Sequence, residues 1–174
     1  MNKTLLTDWY DIDIGKYDTL FLDRDGTINV HLPGTYVKSW SEFEFLPNFL
    51  EVVPYLSSHF KYILVVTNQR GVSKKILTED VLDDIHMRMC DEIARLGGRI
   101  DKVYYCTALL DSDLNRKPNI GMALQAKEDF PDILFSKSLM IGDSKCDELF
   151  AKACNMDFVY VNPNGVAQRI YNSF

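Results

Sequence analysis

The sequence lacks the features that mark secreted and membrane proteins. Its 174 residues contain four cysteines and no Cys-x-x-Cys pair, so a disulfide framework is not indicated. The apolar run Ile63 to Val66 is far shorter than the roughly 20 residues that a membrane-spanning helix needs. Residues 1–13 carry three aspartates and no apolar core, so we expect no signal peptide. These absences predict a cytoplasmic protein with reduced thiols and no membrane partner.

Basic residues are also scarce. The chain has 19 Lys and Arg against 25 Asp and Glu, which gives a formal net charge of −6. Because a duplex-binding surface needs a basic stripe, we expect no nucleic-acid partner. A phosphorylated small molecule stays compatible, since a site can bind metal and local cations.

The chain also has no repeat, no low-complexity segment and no Gly/Ser/Pro-rich linker. With 47% hydrophobic residues, it is predicted to form one globular domain over residues 1–174, in which 1–17 precede the first strand as an N-terminal extension. Whether that domain is a monomer or a small homo-oligomer stays open.

Short apolar runs alternate with longer amphipathic segments. Five runs are predicted as strands: Thr19 to Leu22, Tyr62 to Val66, Lys102 to Cys106, Ser138 to Ile141 and Phe158 to Val161. Four segments are predicted as helices: Pro47 to Ser58, one from the N-cap Thr78 to Gly97-Gly98, Gly121 to Phe130, and Asp147 to Cys154. This alternation predicts an α/β fold, a three-layer Rossmann-like parallel sheet of about five strands with helices on both faces. In such folds the site lies at the carboxyl ends of the strands.

Two carboxylates follow the first predicted strand. Asp23 and Asp25 stand two residues apart, so in an extended chain they face one pocket while Arg24 points away. Carboxylates this close repel each other unless a cation or a shared proton relieves them, and oxygen ligands with few protein contacts suit Mg2+. Gly26 permits a tight turn after them. By itself, an Asp-Gly pair more often marks an ordinary turn.

Further polar clusters follow later strands. Thr67-Asn68-Gln69-Arg70-Gly71 leaves the second strand, where a hydroxyl and backbone N–H groups can hold a phosphoryl oxygen. Arg116-Lys117-Pro118 offers a lysine to neutralise one phosphoryl group and an arginine to grip a second anion. Asp143 closes the fourth strand, and Asp147 lies near the start of the next helix. Each cluster is weak alone, because polar loops and surface charges are common, but their order at successive strand ends is a strong signal.

The four clusters resemble the motifs of the haloacid dehalogenase (HAD) superfamily of phosphohydrolases, over roughly residues 18 to 162. Asp23-Arg24-Asp25-Gly26-Thr27-Ile28-Asn29, Thr67-Asn68-Gln69-x-Gly71 and Arg116-Lys117-Pro118 are similar to the subfamily IIIA branch of heptose bisphosphate and histidinol-phosphate phosphatases. The resemblance implies a HAD-like fold and Mg2+-dependent hydrolysis of a phosphomonoester through an aspartyl phosphate. It also implies a small phosphorylated metabolite, such as a sugar bisphosphate, as the substrate.

The resemblance implies a role for each matched residue. Asp23 would attack phosphorus and Asp25 would act as general acid and base, while Thr67 and Lys117 would stabilise the phosphoryl oxygens. Mg2+ would be held by Asp23, the backbone carbonyl of Asp25, and Asp143, an arrangement that Asp147 would orient from behind. The substrate would contact His31, Tyr36, Asn68, Gln69, Arg70 and Arg116, of which the last would hold the far phosphate of a bisphosphate.

The sequence departs from this branch in one loop. Many members carry a zinc loop of Cys-x-His and Cys-x-Cys just before the Arg-Lys-Pro motif, whereas here Cys106 stands alone and nine residues separate it from Arg116. One thiolate cannot build a tetrahedral zinc site, so we expect no structural zinc. The length between Asp25 and Thr67 leaves room for a short flap and one helix, which predicts only a minimal cap and an open pocket.

Several alternatives stay open. Gln69-Arg70-Gly71-Val72 and Arg116 favour heptose bisphosphate, and histidinol phosphate is the nearest rival substrate. Polynucleotide 3′-phosphatases share the motifs, but the net charge of −6 argues against that role. A non-catalytic binding module of the same fold is disfavoured, because the three acidic positions of the motifs are all present.

Two further expectations concern aromatic and imidazole side chains. His86 is expected to be a core or solvated histidine rather than a ligand. Trp40, Phe43 and Phe45 are expected to pack the flap, with a platform for a sugar ring as the alternative.

Overall fold

A computed structural model describes residues 9–162 and 167–168 of the chain. The strands are β1 (Thr19–Leu22), β2 (Tyr62–Asn68), β3 (Lys102–Cys106), β4 (Ser138–Gly142), β5 (Asp157–Val161) and β6 (Ala167–Gln168). The α-helices are α1 (Pro47–His59), α2 (Glu79–Arg95), α3 (Gly121–Asp129) and α4 (Lys145–Ala153). Short 3-10 turns cover Trp9–Asp11, Trp40–Glu42 and Phe135–Lys137. Within the described residues, no helix is both long and apolar enough to cross a bilayer.

The strands form one sheet in the order β3-β2-β1-β4-β5-β6. Strands β1 to β5 are parallel, which confirms the α/β expectation, and β6 pairs antiparallel with β5. The chain therefore starts in the middle of the sheet, adds β2 and β3 on one side, and then crosses to add β4 and β5 on the other. The two-residue β6 was not predicted, because a strand this short has no apolar run to reveal it.

The alternation of side chains along the strands divides the core between two faces of the sheet. Leu20 and Leu22 belong to the cluster that includes the buried faces of α1 and α2. Phe21, between them, belongs to the cluster that includes the buried residues of α3 and α4. All four residues of β1 are buried, as expected for a strand covered on both sides. The result is the predicted three-layer arrangement.

The segment before β1 contributes to this core. Trp9, Ile12, Ile14 and Tyr17 are buried in the first cluster, and the Trp9 ring packs edge-on against Phe49 of α1 at 6.0 Å between ring centroids. The sequence analysis assigned this segment no role, because four apolar residues scattered among three aspartates match neither a strand nor a helix period.

Two element boundaries differ from the predicted ones by two residues, each for an identifiable reason. Strand β2 continues through Asn68, because Thr67 and Asn68 still pair with Tyr105 and Cys106 of β3. Helix α4 begins at Lys145 rather than at Asp147, because Ser144 is the N-cap and forms a capping box with Asp147. Helix α2 begins as predicted, with the Thr78 hydroxyl accepting a bond from the Val81 amide.

Candidate active site

The polar clusters meet at the carboxyl edge of the sheet. Asp23 follows β1, Thr67 is the second-last residue of β2 and Asp143 follows β4, and these three strands are neighbours in the sheet. Together with the loop before α3 and the flap, which is the segment between β1 and α1, they surround one pocket. Its lining residues are Asp23, Asp25, His31, Leu32, Thr35, Tyr36, Val37, Thr67, Asn68, Lys117, Asp143, Ser144, Cys146 and Asp147.

Lys117 is the central cation of this pocket. Its side chain is 3% exposed, and Nζ donates to Asp23 Oδ1 at 2.8 Å and to Asp147 Oδ1 at 2.6 Å. Its backbone is fixed by Asn68, whose Oδ1 accepts from the Lys117 amide and whose Nδ2 donates to the Lys117 carbonyl, both at 3.0 Å. Burial lowers the pKa of Lys117, but the carboxylates of Asp147 and Asp23 outweigh it and hold the pKa above its ordinary value. Lys117 is therefore a fixed positive charge beside Asp23.

Three carboxylates crowd together around this lysine. Ligand oxygens of Asp23, Asp143 and Asp147 all lie within 4.8 Å of one another. Burial raises the pKa of Asp23 to about 8. The charges of Asp147 and Asp143 also raise this pKa, whereas the charge of Lys117 lowers it. Burial, followed by the charge of Asp147, raises the pKa of Asp143 to about 6. A divalent cation would relieve this repulsion, and an all-oxygen donor set suits Mg2+, so these residues fit the metal that the motifs imply.

Asp147 is held in place from its own helix. Its Oδ2 accepts from the Ser144 amide at 3.1 Å and from the Ser144 hydroxyl at 2.6 Å, while Oδ1 accepts from Lys117. A Cβ on Gly142 would stand 2.5 Å from the Asp147 carboxyl carbon, so glycine is needed for this close approach of strand and helix. The carboxylate is thus committed to Lys117 and Ser144, and its orienting role stays a prediction.

Asp25 sits in a different environment from Asp23. It accepts from Asn29 Nδ2 at 2.9 Å, from Gln69 Nε2 at 2.8 Å, and from the Arg24 guanidinium at 2.9 and 3.1 Å. Burial alone would raise the pKa of Asp25, but the charge of Arg24 and the donated bonds outweigh it and lower that pKa. Gln69 Nε2 also donates to Thr67 Oγ1 at 2.9 Å. Gln69 therefore links Thr67 to Asp25, and its contact with substrate stays a prediction.

The sequence analysis missed the environment of Arg24. Its side chain points away from the pocket as expected, but it is 1% exposed and Nη1 lies 3.0 Å from His86 Nε2. The guanidinium also lies over the Phe43 ring, 5.9 Å from its centroid. His86 is itself buried, which agrees with the core interpretation. The position of His86 on the apolar face of α2 was the available signal, but no pattern links it to Arg24.

The other five predicted substrate contacts divide into two groups. His31, Tyr36 and Asn68 line the pocket. Arg70 and Arg116 instead reach the carboxylate of Asp111, in the loop between β3 and α3. Leu32 and Thr35 also line the pocket, in the loop between His31 and Tyr36. Three lining residues were given no role in the sequence analysis, because flap folding and the start of α4 bring them in: Val37, Ser144 and Cys146.

Cys106 ends β3 as a buried thiol. Its Sγ lies 3.7 Å from Asp113 Oδ1, which also accepts from the Asn115 amide at 2.9 Å. Among the described residues, the one cluster of three or more groups close enough to bind a metal is the carboxylate cluster of the pocket. The absence of structural zinc stays a prediction.

The flap aromatics pack against one another. Trp40 stacks on Phe43 with 5.1 Å between ring centroids, and Phe43 meets Phe45 edge-on at 5.0 Å. The three rings also join the first core cluster. These contacts favour packing over a role as a sugar platform.

Comparison with known proteins gives consistent matches. A sequence profile of the family described as polynucleotide kinase 3 phosphatase matches residues 19–164. A D-glycero-beta-D-manno-heptose-1,7-bisphosphate 7-phosphatase of Rhodopseudomonas palustris is 33% identical over 78% of this chain and 78% of its own length. A D-glycero-alpha-D-manno-heptose-1,7-bisphosphate 7-phosphatase of Campylobacter jejuni is 35% identical over 76% of this chain and 74% of its own.

Solved structures agree with these relatives. The D,D-heptose 1,7-bisphosphate phosphatase of B. bronchiseptica, crystallised with magnesium and phosphate, superposes with a TM-score of 0.78. It is 28% identical, and the match covers 85% of this chain and 83% of that one. The corresponding enzyme of Burkholderia thailandensis gives a TM-score of 0.57 at 25% identity, over 80% of this chain and 74% of that one. These matches confirm the predicted HAD-like fold.

Proposed function

This chain belongs to the polynucleotide kinase 3 phosphatase family of HAD-type phosphatases, and on that premise we propose that it is a Mg2+-dependent phosphomonoesterase. Its proposed reaction is removal of the 7-phosphate from D-glycero-D-manno-heptose 1,7-bisphosphate. The observation that carries the proposal is the contact of Asp23 with Lys117, at 2.8 Å, inside a pocket that Thr67 and Asp143 also line.

In the proposed reaction, the Asp23 carboxylate attacks phosphorus and forms an aspartyl phosphate. Asp25 protonates the leaving oxygen of the sugar and later takes a proton from the water that hydrolyses the intermediate. Lys117 Nζ and the Thr67 hydroxyl stabilise negative charge on the phosphoryl oxygens. Asp23, Asp143 and the backbone carbonyl of Asp25 would hold Mg2+, which supplies charge neutralisation at those oxygens when it is bound.

The neighbours of Asp23 and Asp25 hold these two carboxyl groups in different environments. A nucleophile must reach phosphorus as an anion, and the ammonium of Lys117 favours that form of Asp23. Burial and the neighbouring carboxylates outweigh Lys117 and raise the pKa of Asp23 to about 8, so the cation that Asp23 and Asp143 would hold is needed to favour the ionised carboxylate. Asp25 is held by three side chains from two segments, so its carboxyl group is oriented before substrate arrives. We also propose that residues 1–174 act as one domain, because the segment from Trp9 packs into the same core as β1, α1 and α2.

The proposed substrate rests on the relatives and on charge. Two relatives at 33% and 35% identity are heptose 1,7-bisphosphate 7-phosphatases. The family description mentions polynucleotide phosphatases, but a chain with a net charge of −6 has no general attraction for nucleic acid. Histidinol phosphate, the rival substrate of the sequence analysis, lacks the second phosphate that an arginine beside the pocket would bind.

The variant Asp23→Asn tests the proposed nucleophile. A carboxamide has nearly the same shape but cannot form the aspartyl phosphate, so we expect phosphate release with Mg2+ to fall by about 10³-fold or more. The matched control is Asp18→Asn, at the opposite end of the same strand, where the side chain is 61% exposed. Circular dichroism should show both variants folded.

The substrate panel compares heptose 1,7-bisphosphate, histidinol phosphate and a 3′-phosphorylated oligonucleotide. We expect the highest kcat/KM for the heptose ester. Faster hydrolysis of either rival would overturn the substrate, and full activity of Asp23→Asn would overturn the mechanism. An inert wild-type protein across the whole panel would leave a binding module as the function.

A further inference from the structure

Two arginines beside the pocket share one carboxylate. Arg116 Nε donates to Asp111 Oδ1 at 3.0 Å, and Arg70 Nη2 forms an ion pair with the same oxygen. Asp111 is 84% exposed, whereas Arg116 and Arg70 are 14% and 26% exposed. The two arginines are therefore the more buried part of this cluster, and Asp111 lies on their solvent-facing side.

Each arginine adjoins a residue that lines the pocket. Arg116 directly precedes Lys117, and Arg70 follows Asn68 by two positions. Lys117 and Asn68 are tied to each other by two hydrogen bonds of 3.0 Å, so the two segments that carry the arginines are fixed side by side. The arginine pair is thus carried by two segments that also line the pocket.

Both guanidinium groups retain unused donors. Arg70 Nε and Arg116 Nη1 are buried and have no hydrogen-bond partner within the described part of the chain. A guanidinium buried with free N–H groups is costly unless an acceptor reaches it. A phosphate group offers more acceptor oxygens and more charge than one carboxylate, and arginine forks match it well.

The side chain of Asp111 can leave without disturbing its loop. Asn119 Nδ2 donates to the backbone carbonyls of Asp111 and Asp113, each at 2.8 Å, so the loop is held through its main chain. Exposed ion pairs contribute little free energy, because water solvates the separated charges. Bonds from Arg116 and the charge of Arg70 keep the pKa of Asp111 low, so an anion occupies this position at neutral pH.

We infer that Asp111 is a specificity-determining residue whose carboxylate occupies the anion site of Arg70 and Arg116 until the second phosphate of a bisphosphate substrate displaces it. The inference rests on the proposed phosphatase function. A sugar monophosphate brings no such anion, leaves Asp111 in place and gains nothing from the two arginines. Asp111 consequently lowers the preference for bisphosphates that the arginine pair alone would give.

The test compares two substrates that differ only in the second phosphate: D-glycero-D-manno-heptose 1,7-bisphosphate and the corresponding 7-phosphate. The measured quantity is the ratio of kcat/KM for the bisphosphate to kcat/KM for the monophosphate. Asp111→Asn removes the competing charge and should raise this ratio about threefold, the scale of an exposed ion pair. Arg116→Gln removes a charge-assisted donor and should lower it about tenfold.

The matched control is Asp132→Asn. Asp132 is a half-exposed carboxylate paired with Lys61 at the start of β2, on the opposite edge of the sheet, so its loss should leave the ratio at the wild-type value. A ratio unchanged by Asp111→Asn would overturn the inference. If kcat/KM for both esters changed by the same factor, the ratio would stay at the wild-type value and Asp111 would only shape its loop.

The outcomes separate this inference from the proposed function. The wild-type protein could fail to hydrolyse both heptose esters and yet hydrolyse glucose 1,6-bisphosphate and glucose 6-phosphate. The heptose assignment would then be wrong, and the ratio of kcat/KM would be measured with the two glucose esters. Wild-type protein that hydrolyses no phosphate ester with Mg2+ would overturn both.

Discussion

Arg24 is a buried cation, so neighbouring side chains rather than water must balance its charge. Its guanidinium binds the Asp25 carboxylate on one side and His86 on the other. Only a neutral imidazole can accept from Arg24, since a protonated one would place two cations 3.0 Å apart. The histidine therefore fixes Arg24, and through it Asp25.

This contact makes the stability depend on pH. Burial, followed by the charge of Arg24, lowers the pKa of His86 to about 3 from 6.5. Between these values the unfolded chain binds the extra proton, so the free energy of unfolding falls as the pH falls below 6.5. We expect His86 to contribute a loss of about 1.5 kcal/mol between pH 6.5 and about pH 5, measured by urea unfolding as the difference between wild type and His86→Gln, because the raised pKa values of Asp23 and Asp143 act in the opposite direction in both proteins. In His86→Gln, whose amide oxygen still accepts from Arg24, this part of the loss should disappear.

Met87→Gln is the control for this experiment. Met87 is 56% exposed on the same helix, so the variant keeps the buried imidazole and should keep the full pH-dependent loss. An equal loss in wild type and His86→Gln would show that His86 does not titrate between these pH values.

Whether the contacts of a side chain can be predicted from sequence depends on where its partners lie along the chain. Asp23 and Lys117 could be predicted from sequence, because each follows a recognisable strand or motif and their partners are set by strand order. Arg24 and His86 could not be paired, because 62 positions separate them and only the packing of α2 on the sheet brings them together.

At the scale of elements, the turns after the strands decide the geometry of the site. Gly26 has a φ of +86°, and a Cβ there would stand 1.9 Å from Asp143 Oδ2. The turn after β1 and the end of β4 thus approach as closely as their atoms allow. An Asp-Gly turn was predictable from sequence, but its contact with Asp143 depends on β1 and β4 being neighbours.

Gly26→Ala should remove activity by displacing Asp143. Both the left-handed backbone and the overlap oppose the added methyl group, and a shift of about 1 Å at a catalytic carboxylate costs about 100-fold in rate. We expect kcat/KM for the proposed substrate to fall by about that factor, with a loss of about 1 kcal/mol or more in unfolding free energy.

Gly97→Ala supplies the matched control. Gly97 has a φ of +84° after α2 and no atom within 4 Å of an added Cβ, so this variant carries the backbone strain alone. It should lose about 1 kcal/mol of stability and retain its activity. Equal losses of activity in the two variants would assign the effect to backbone strain rather than to Asp143.

For the whole molecule, the order of the strands selects the location of the site. The chain leaves β1 toward β2 on one side and returns to β4 on the other, which creates a switch point between β1 and β4. Ligands of open α/β sheets bind in the crevice at such a point, and Asp23 and Asp143 flank it here. Alternating strands and helices predicted a parallel sheet but not this order. The contribution of the N-terminal segment to the core was likewise beyond a periodicity argument.

We expect Mg2+ in the pocket and no structural zinc. Together, these expectations predict that a chelator removes the activity but leaves the fold intact. Structural zinc contributes folding free energy, so a protein that needs it unfolds when a chelator removes the metal. Here both sides of the sheet carry an apolar core, and the end of β3 offers the single thiol of Cys106. Chelation should therefore abolish phosphate release while leaving the circular dichroism spectrum and the urea midpoint nearly unchanged, and metal analysis should find no zinc.

Return of Mg2+ should then restore activity and add stability, because Asp23 and Asp143 repel each other less with a cation between them. At about 100 times its Kd, Mg2+ should raise the free energy of unfolding by about 2.7 kcal/mol. Asp143→Asn removes one proposed ligand and should lose most of this gain. Unfolding on chelation, with one zinc recovered per chain, would contradict the zinc prediction. A Mg2+ effect of equal size in Asp143→Asn would place the ion elsewhere.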